Sequence, residues 1–235
     1  MYELLTELHA ATIDALKRTQ FNQGNATQRL LMALYATIIE QTGSAIALVE
    51  TKHAAGVEAI LRSCLEAHVD LINLANDPAY ADQMSAHYHA QWRLVCREAA
   101  KGTNPFLAGI QADAAKRLAK HEAEIKRLPQ PLTIQRRFEM AKLSDLYYSV
   151  YNSLCSEAHN NMRSLIDRHY DNVGTEEAPQ FEIRIFAGLD QESFDAAIYS
   201  FNAILITSNH VVHDYLKSPE GTKLAELAKR RDSMA

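Results

Sequence analysis

The sequence predicts an all-α fold: a multi-helix bundle with a small two-stranded β-hairpin near 165–187. Three observations carry that reading. Apolar residues recur at helical spacing along most of the chain. Only 8 Gly and 6 Pro occur in 235 residues, and most fall between the periodic segments, where helix punctuation belongs. One stretch, Phe181-Glu-Ile-Arg-Ile-Phe186, alternates apolar and polar residues instead, the period of a strand.

Taken in order, helices are expected over 2–20, 26–50, 54–76, 78–101, 105–127, 133–141 and 144–163. Asn22 to Asn25 reads as a turn, and Pro129-Gln-Pro131 as a linker. Pro78 and Pro105 sit where a proline is tolerated, in the first turn of a helix. Leu165-Ile-Asp-Arg-His-Tyr170 is expected to pair with Phe181–Phe186 across the polar loop Asp171 to Pro179. From Gln191 a last long helix runs to about Leu216, and the charged segment 218–235 is expected to fray.

With 47% hydrophobic and 23% charged residues, the chain is ordinary globular material, long enough for one sizeable core, and a single helical domain over 1–235 is expected. A net charge of -5 argues against coating nucleic acid, which needs an excess or a dense patch of Lys and Arg. The basic clusters Lys126-Arg127, Arg136-Arg137 and Lys229-Arg230-Arg231 are short and suit solvated helix ends. Cys64, Cys96 and Cys155 lie far apart in helical pattern and read as reduced thiols. The start, Met-Tyr-Glu-Leu-Leu-Thr-Glu, is acidic and unlike a signal peptide. The best apolar run, Phe201 to Val212, is broken by Asn202, Asn209 and His210, so no membrane span is expected. A cytoplasmic protein is the resulting expectation.

Two polar constellations stand above this background: Arg62-Ser-Cys-Leu-Glu66 and Tyr151-Asn-Ser-Leu-Cys-Ser156-Glu-Ala-His159-Asn-Asn-Met-Arg163. On a helical wheel Ile60, Leu61, Cys64, Leu65, Leu71 and Ile72 share an apolar face, with Arg62, Ser63, Glu66, Asp70 and Asn73 opposite. Arg62 and Glu66 are i,i+4 neighbours, placed either for a surface ion pair or for a binding site. His68 falls mid-face, the position of a core histidine. Further on, Tyr147, Tyr151, Leu154, Cys155, Ala158 and Met162 form an apolar face with Asn152, Ser156, His159 and Arg163 along its rim. That stripe is either a site or a seam between helices. The last long helix is apolar almost all round and should be central, with Asn202, Asn209 and His213 in one stripe. Buried polar groups need partners. One internal polar cavity shared by the three helices is therefore the expectation.

Several chemistries are disfavoured by spacing. Glu66-Ala-His68 and Glu157-Ala-His159 point their potential ligands to different faces, unlike the Glu-x-x-His of di-iron bundles. His87-x-His89 has the same fault, and His210-x-x-His213 lacks an identifiable third ligand. No metal or cofactor is expected. Ser156-x-x-His159 offers a nucleophile and a base without a G-x-S-x-G elbow. Neither a G-x-G-x-x-G nor a Walker loop is present.

The pattern Arg62-Ser-x-x-Glu66, followed by Tyr147-Tyr148 and Tyr151 with Ser156-x-x-His159, resembles a family of bacterial helical proteins of unknown function, over roughly residues 25–217. In place of the small apolar residue and Pro that often flank the His there, this chain has Asn160. That resemblance brings no activity, but it marks Arg62, Glu66, Tyr151, Ser156 and His159. More loosely the chain is similar to HEPN-type bundles, whose ribonuclease members carry Arg-x4–6-His. Arg62-x5-His68 and Arg163-x5-His169 have that spacing. This second resemblance implies a metal-independent pair, Arg163 with His159 or His169, the His as general acid or base and the Arg stabilising a pentavalent phosphate.

The leading expectation is thus a binding or interaction module for a small-molecule or protein ligand. Its pocket uses Arg62, Glu66, Tyr151, Asn202 and His213, and it forms a homo-oligomer through exposed apolar helix faces. The alternative is an HEPN-like ribonuclease in a defence or toxin setting, acting on RNA, with Ser156, His159 and Arg163 as catalytic candidates.

Overall fold

The computed structural model describes residues 1–51, 53, 56–158, 162–185 and 189–231, with the side chains of all of these except 156–158, 163 and 231. The chain is all-α with one small antiparallel hairpin, as the periodicity predicts. It divides into two compact units, Met1–Ala75 with Phe138–Ala235, and Asn76–Arg137.

The first unit is built on α1 (Tyr2–Arg18), α2 (Ala26–Glu50), α3 (Val57–Asn76) and the long α11 (Gln191–Leu216). The side chain of Asn25 caps α2 by accepting from the Gln28 N–H, satisfying one of the donors a helix start leaves open. α1 buries Leu4, Leu5, Leu8 and Ala15, at the expected helical spacing. α2 is the one described helix long and apolar enough, by length and composition, to cross a membrane, with a mean hydropathy of 1.3 over its best window. It thereby exceeds the run Phe201–Val212 that the sequence suggested. One face of α2, carrying Leu31, Tyr35, Ile38, Ile39 and Ala45, is buried, and the helix packs on α1 and α11.

α3 departs from its wheel. Asp70 and Asn73, expected on the solvent face with Arg62, are buried along with Ala67, His68, Val69 and Leu71. The five consecutive residues Ala67–Leu71 are all buried, so α3 is enclosed all round at that point.

The stretch expected as one helix over 144–163 is interrupted. A short α8 (Ser144–Leu146) runs into a π-helical turn at Tyr147–Tyr151, then α9 (Asn152–Ala158) and α10 (Met162–His169) follow. Tyr151 and Leu154 are buried, as uninterrupted α periodicity assigns them, whereas Met162, which opens the separate helix α10, is 77% exposed. The hairpin is shifted as well: Leu165–His169 is helical, and the strands are β1 (Tyr170–Asn172) and β2 (Phe181–Ile183). Tyr170 pairs with Ile183, Asp171 with Glu182 and Asn172 with Phe181. Residues 165–169 contain no alternation, and helical hydrogen bonds satisfy their backbone before the chain turns. Phe186, the end of the expected second strand, lies outside the described residues.

α11 (Gln191–Leu216) starts at an Asp190 cap, whose carboxylate accepts from the Ser193 N–H at 2.8 Å. It buries Ile198, Phe201, Ile204, Leu205 and Val212 and packs on α1, α2 and α12 (Glu220–Ala228). It is central, as its all-round apolar sequence implies. α12 seats Leu224 in the core, so the charged composition of 218–235 conceals one amphipathic helix at 220–228.

In the second unit α4 (Tyr80–Ala100) packs on α6 (Ala114–Ile125). Between them lie a 3₁₀ turn at Pro105–Leu107 and the one-turn α5 (Ala108–Gln111), where the sequence suggested one helix from 105 to 127. Asn104 caps the turn by accepting from the Phe106 N–H. Cys96, Ala86, Ala99 and Ala114 are buried. Trp92 stacks on His121 at 6.2 Å, and the His89 and His121 Nδ1 atoms are 2.9 Å apart. α7 (Ile134–Met140) leads back into the first unit, where Phe138 is fully buried.

Candidate functional site

Arg62 and Glu66 lie one turn apart at the exposed start of α3, with the Arg62 Nε 3.5 Å from Glu66 Oε1. Their side chains are 27% and 34% exposed, so solvent reaches both. From the π turn, Tyr151 extends toward them, and its hydroxyl donates to Glu66 Oε1 at 2.7 Å. The guanidinium carbon of Arg62 sits 5.7 Å from the centre of the Tyr151 ring, within reach of a cation–π attraction.

An aromatic wall holds that ring in place. Tyr147 stacks on Tyr151 at 5.6 Å and 20°, and Phe138 approaches Tyr151 at 5.0 Å and Tyr147 at 5.5 Å. Tyr148, 62% exposed, meets Tyr147 edge to face at 5.2 Å. All three tyrosines lie on the π turn, a local geometry frequent at functional sites.

Burial, the largest influence, pushes the Tyr151 hydroxyl well above its ordinary range; Arg62 opposes that shift and Glu66 adds to it. Tyr151 therefore stays protonated and donates to the carboxylate. Hydrogen bonding to Tyr151 raises Arg62 further, and the guanidinium remains cationic. A neutral phenol, a carboxylate and a fixed cation make a recognition cluster. Neither the phenol nor the guanidinium is poised to move a proton near neutral pH.

Asn202 and His213, placed by the sequence in the same cavity as Arg62, have their polar partners on α1, α2 and α11 instead. The Asn202 amide donates to the carbonyls of Ile198 at 3.0 Å and Met1 at 3.2 Å, fixing the start of α1 against α11. His213 belongs to a buried chain of hydrogen bonds. Tyr35 donates to Asn209 Oδ1 at 2.6 Å, and the Asn209 amide donates to Thr12 Oγ1 at 2.9 Å. With its proton given to Asn209, the Tyr35 oxygen is left to accept from His213 Nε2 at 3.3 Å, which assigns the Nε2–H tautomer. His213 Nδ1 is then a bare acceptor, buried without a partner.

His213 and Asn209 also line an open groove of about 590 Å³ between α11 and α12, with His210, Lys217, Ser218 and Thr222 around it. Lys217 ends α11 in the left-handed conformation, at φ 53°. Glu220, bound to Arg18 at 2.7 Å, ties α12 to α1 beside it. Sequence reasoning passed over this groove because α12 was expected to fray; the Ser218-Pro219 break before a Leu224 seat was its one visible signal. Among the described residues no group of three or more potential metal ligands gathers, at His210 and His213 or elsewhere.

His68 is the core histidine its position suggested. It is buried, its Nδ1 lies 2.8 Å from Ser208 Oγ, and burial pulls it down to about 4. His169 hydrogen-bonds the Arg184 carbonyl at 3.2 Å. His159 and the side chains of Ser156 and Arg163, the catalytic candidates, lie outside the described residues. Cys64, Cys96 and Cys155 are free thiols, the first two buried.

Residues 28–177 match the Family of unknown function (DUF5677), and the chain belongs to that family. The resemblance read from Arg62, Glu66 and the tyrosine segment is in keeping with this membership. Neither the curated proteins nor the solved structures contain a match. The matched stretch contains all of the Arg62–Glu66–Tyr151 cluster and ends before α11, so the α11–α12 groove lies beyond it.

Proposed function

We propose that this protein is a binding module whose recognition site is the Arg62–Glu66–Tyr151 cluster and the tyrosine wall beside it. The ligand class that fits is a small anion with a flat face, its charge drawn to Arg62 and its face laid on the exposed side of Tyr148. The observation that carries this reading is the π turn. It carries Tyr147, Tyr148 and Tyr151, and Tyr151 is bound to a solvent-reached Glu66 beside Arg62. A charged cluster that served stability alone would contribute little in so exposed a place.

A thermal-shift screen of carboxylates and phosphates bearing planar rings tests it, followed by calorimetric titration of the wild type, Arg62→Ala and Tyr151→Phe. The expected result is a ligand that stabilises the wild type and loses at least tenfold in affinity with Arg62→Ala, while circular dichroism shows both variants folded. Equal affinity for wild type and Arg62→Ala overturns the reading. A mixed RNA pool, incubated with and without EDTA beside a His159→Ala variant, separates this function from the nuclease alternative. EDTA-resistant cleavage lost in that variant would replace binding with metal-independent RNA hydrolysis.

A further inference from the structure

The hairpin faces the wrong way for a sheet that belongs only to its own chain. Its polar face is tied inward. Arg184 donates to Asp171 Oδ1 at 2.7 Å, to the Asp167 carbonyl at 2.7 Å and to the Arg168 carbonyl at 3.2 Å. Arg168 in turn pairs with Glu58 at 3.3 Å, anchoring α10 and the hairpin to α3. Its apolar face is left open: Tyr170, Phe181, Ile183 and Ile185 are 44%, 59%, 73% and 69% exposed. The register puts Tyr170, Phe181 and Ile183 on one side, and the Tyr170 and Phe181 rings meet there at 6.1 Å.

At roughly 200 Å² for an aromatic side chain and about 120 Å² for an isoleucine, these four present an apolar surface of about 380 Å². One face of a standard protein interface covers about 800 Å², somewhat over half of it non-polar, so the patch supplies most of the apolar area that one partner of a stable pair requires.

The backbone says what covers it. Residues 180, 182 and 184 turn their main-chain groups toward β1, as the Val173-to-Gln180 and Arg184-to-His169 hydrogen bonds show. Phe181 and Ile183 therefore offer theirs to the outer edge, where no third strand pairs among the described residues. The geometry points to a second copy of this chain as the occupant, β2 pairing antiparallel with β2 about a two-fold axis through Ile183. In that register Phe181 of one copy faces Ile185 of the other, Ile183 faces Ile183, and the apolar faces of the two hairpins join. On the opposite face each Glu182 stands across from an Arg184, a complementary pair. A two-fold axis at Glu182 would also pair the outward main-chain groups, Phe181 with Ile183, but it would set the two Glu182 carboxylates against each other. The chain is a dimer through a four-stranded sheet, formed by the hairpin rather than by helix faces.

Sedimentation across a wide dilution series tests this on the full chain, with Ile183→Lys and with Ile183→Cys on a Cys155→Ser background, Cys155 being the thiol that is not buried. Directly opposed residues of a hydrogen-bonded antiparallel pair have Cα atoms about 5.5 Å apart, inside the range a disulfide spans. Added diamide should then take two protons and two electrons from facing thiols and join the copies covalently. The expected outcome is a wild-type dimer, a shift of Ile183→Lys to monomer and a covalent dimer from Ile183→Cys. A wild type that stays monomeric throughout overturns the proposal. So does a dimer that survives Ile183→Lys and gives no cross-link.

Discussion

Replacing Asn209 by Ala removes the centre of the buried chain Thr12–Asn209–Tyr35–His213 and tests whether polar pairing, more than apolar contact, fixes α11 against α1 and α2. Thr12 and Tyr35 are fully buried and Asn209 is 3% exposed, so in the wild type their polar groups depend on one another. The variant breaks a 2.6 Å bond from Tyr35 and a 2.9 Å bond to Thr12. Tyr35 has one escape: its proton can turn to His213 Nε2, 3.3 Å away, if His213 moves its own proton to Nδ1. Thr12 loses its donor outright. At about 1–3 kcal/mol for each buried group left without a partner, and with Tyr35 partly rescued, the net cost comes to about 3 kcal/mol. For a chain of this size that lowers Tm by roughly 6–12 °C. Calorimetry on Asn209→Ala, Tyr35→Phe and the double variant gives the coupling, expected at about 1–2 kcal/mol because the two residues share one bond. An Asn209→Ala Tm within about 2 °C of wild type, or additive single variants, would refute the reasoning.

Acidification should destabilise the protein through His68. Burial holds its folded-state value at about 4, against about 6.5 in an unfolded chain. Between those values the unfolded state binds the proton and the folded state does not, so stability is full above the upper value and falls toward the lower one, by up to about 3 kcal/mol. His213, also lowered by burial, acts in the same direction. Thermal melts across that window should show a flatter dependence for His68→Asn, whose amide can still reach Ser208. Gly221→Ala places a methyl 2.8 Å from the His213 Cβ, so α12 must shift from α11. In an open helix this change would stabilise by up to about 1 kcal/mol; here a loss of about 1–2 kcal/mol is expected, read as a lower Tm.

Much of the fold follows from composition and period. The apolar spacing of α1, α2 and α11 and the alternation of residues 181–185 are local signals, and each names its element without help from the rest of the chain. The i,i+4 pairing of Arg62 with Glu66 is legible for the same reason, being set by helix geometry alone. The π turn at 147–151 has no local signature, because it is held by packing of Tyr147 and Tyr151 against Phe138.

Asn202 and His213 show the limit most plainly. A wheel can put two polar side chains on one stripe of α11, and energetics requires that they find partners, but the identity of those partners depends on which helix lies alongside. Sequence by itself determined an all-α chain with a central α11, a core His68 and a polar start to α3. Only the tertiary structure decided that Tyr151 closes on Glu66, that His213 answers to Tyr35 rather than to Arg62, and that the hairpin carries its apolar face outward. Hydrogen bonds and burial between distant segments depend on the docking of whole elements, and no periodicity within one segment encodes that.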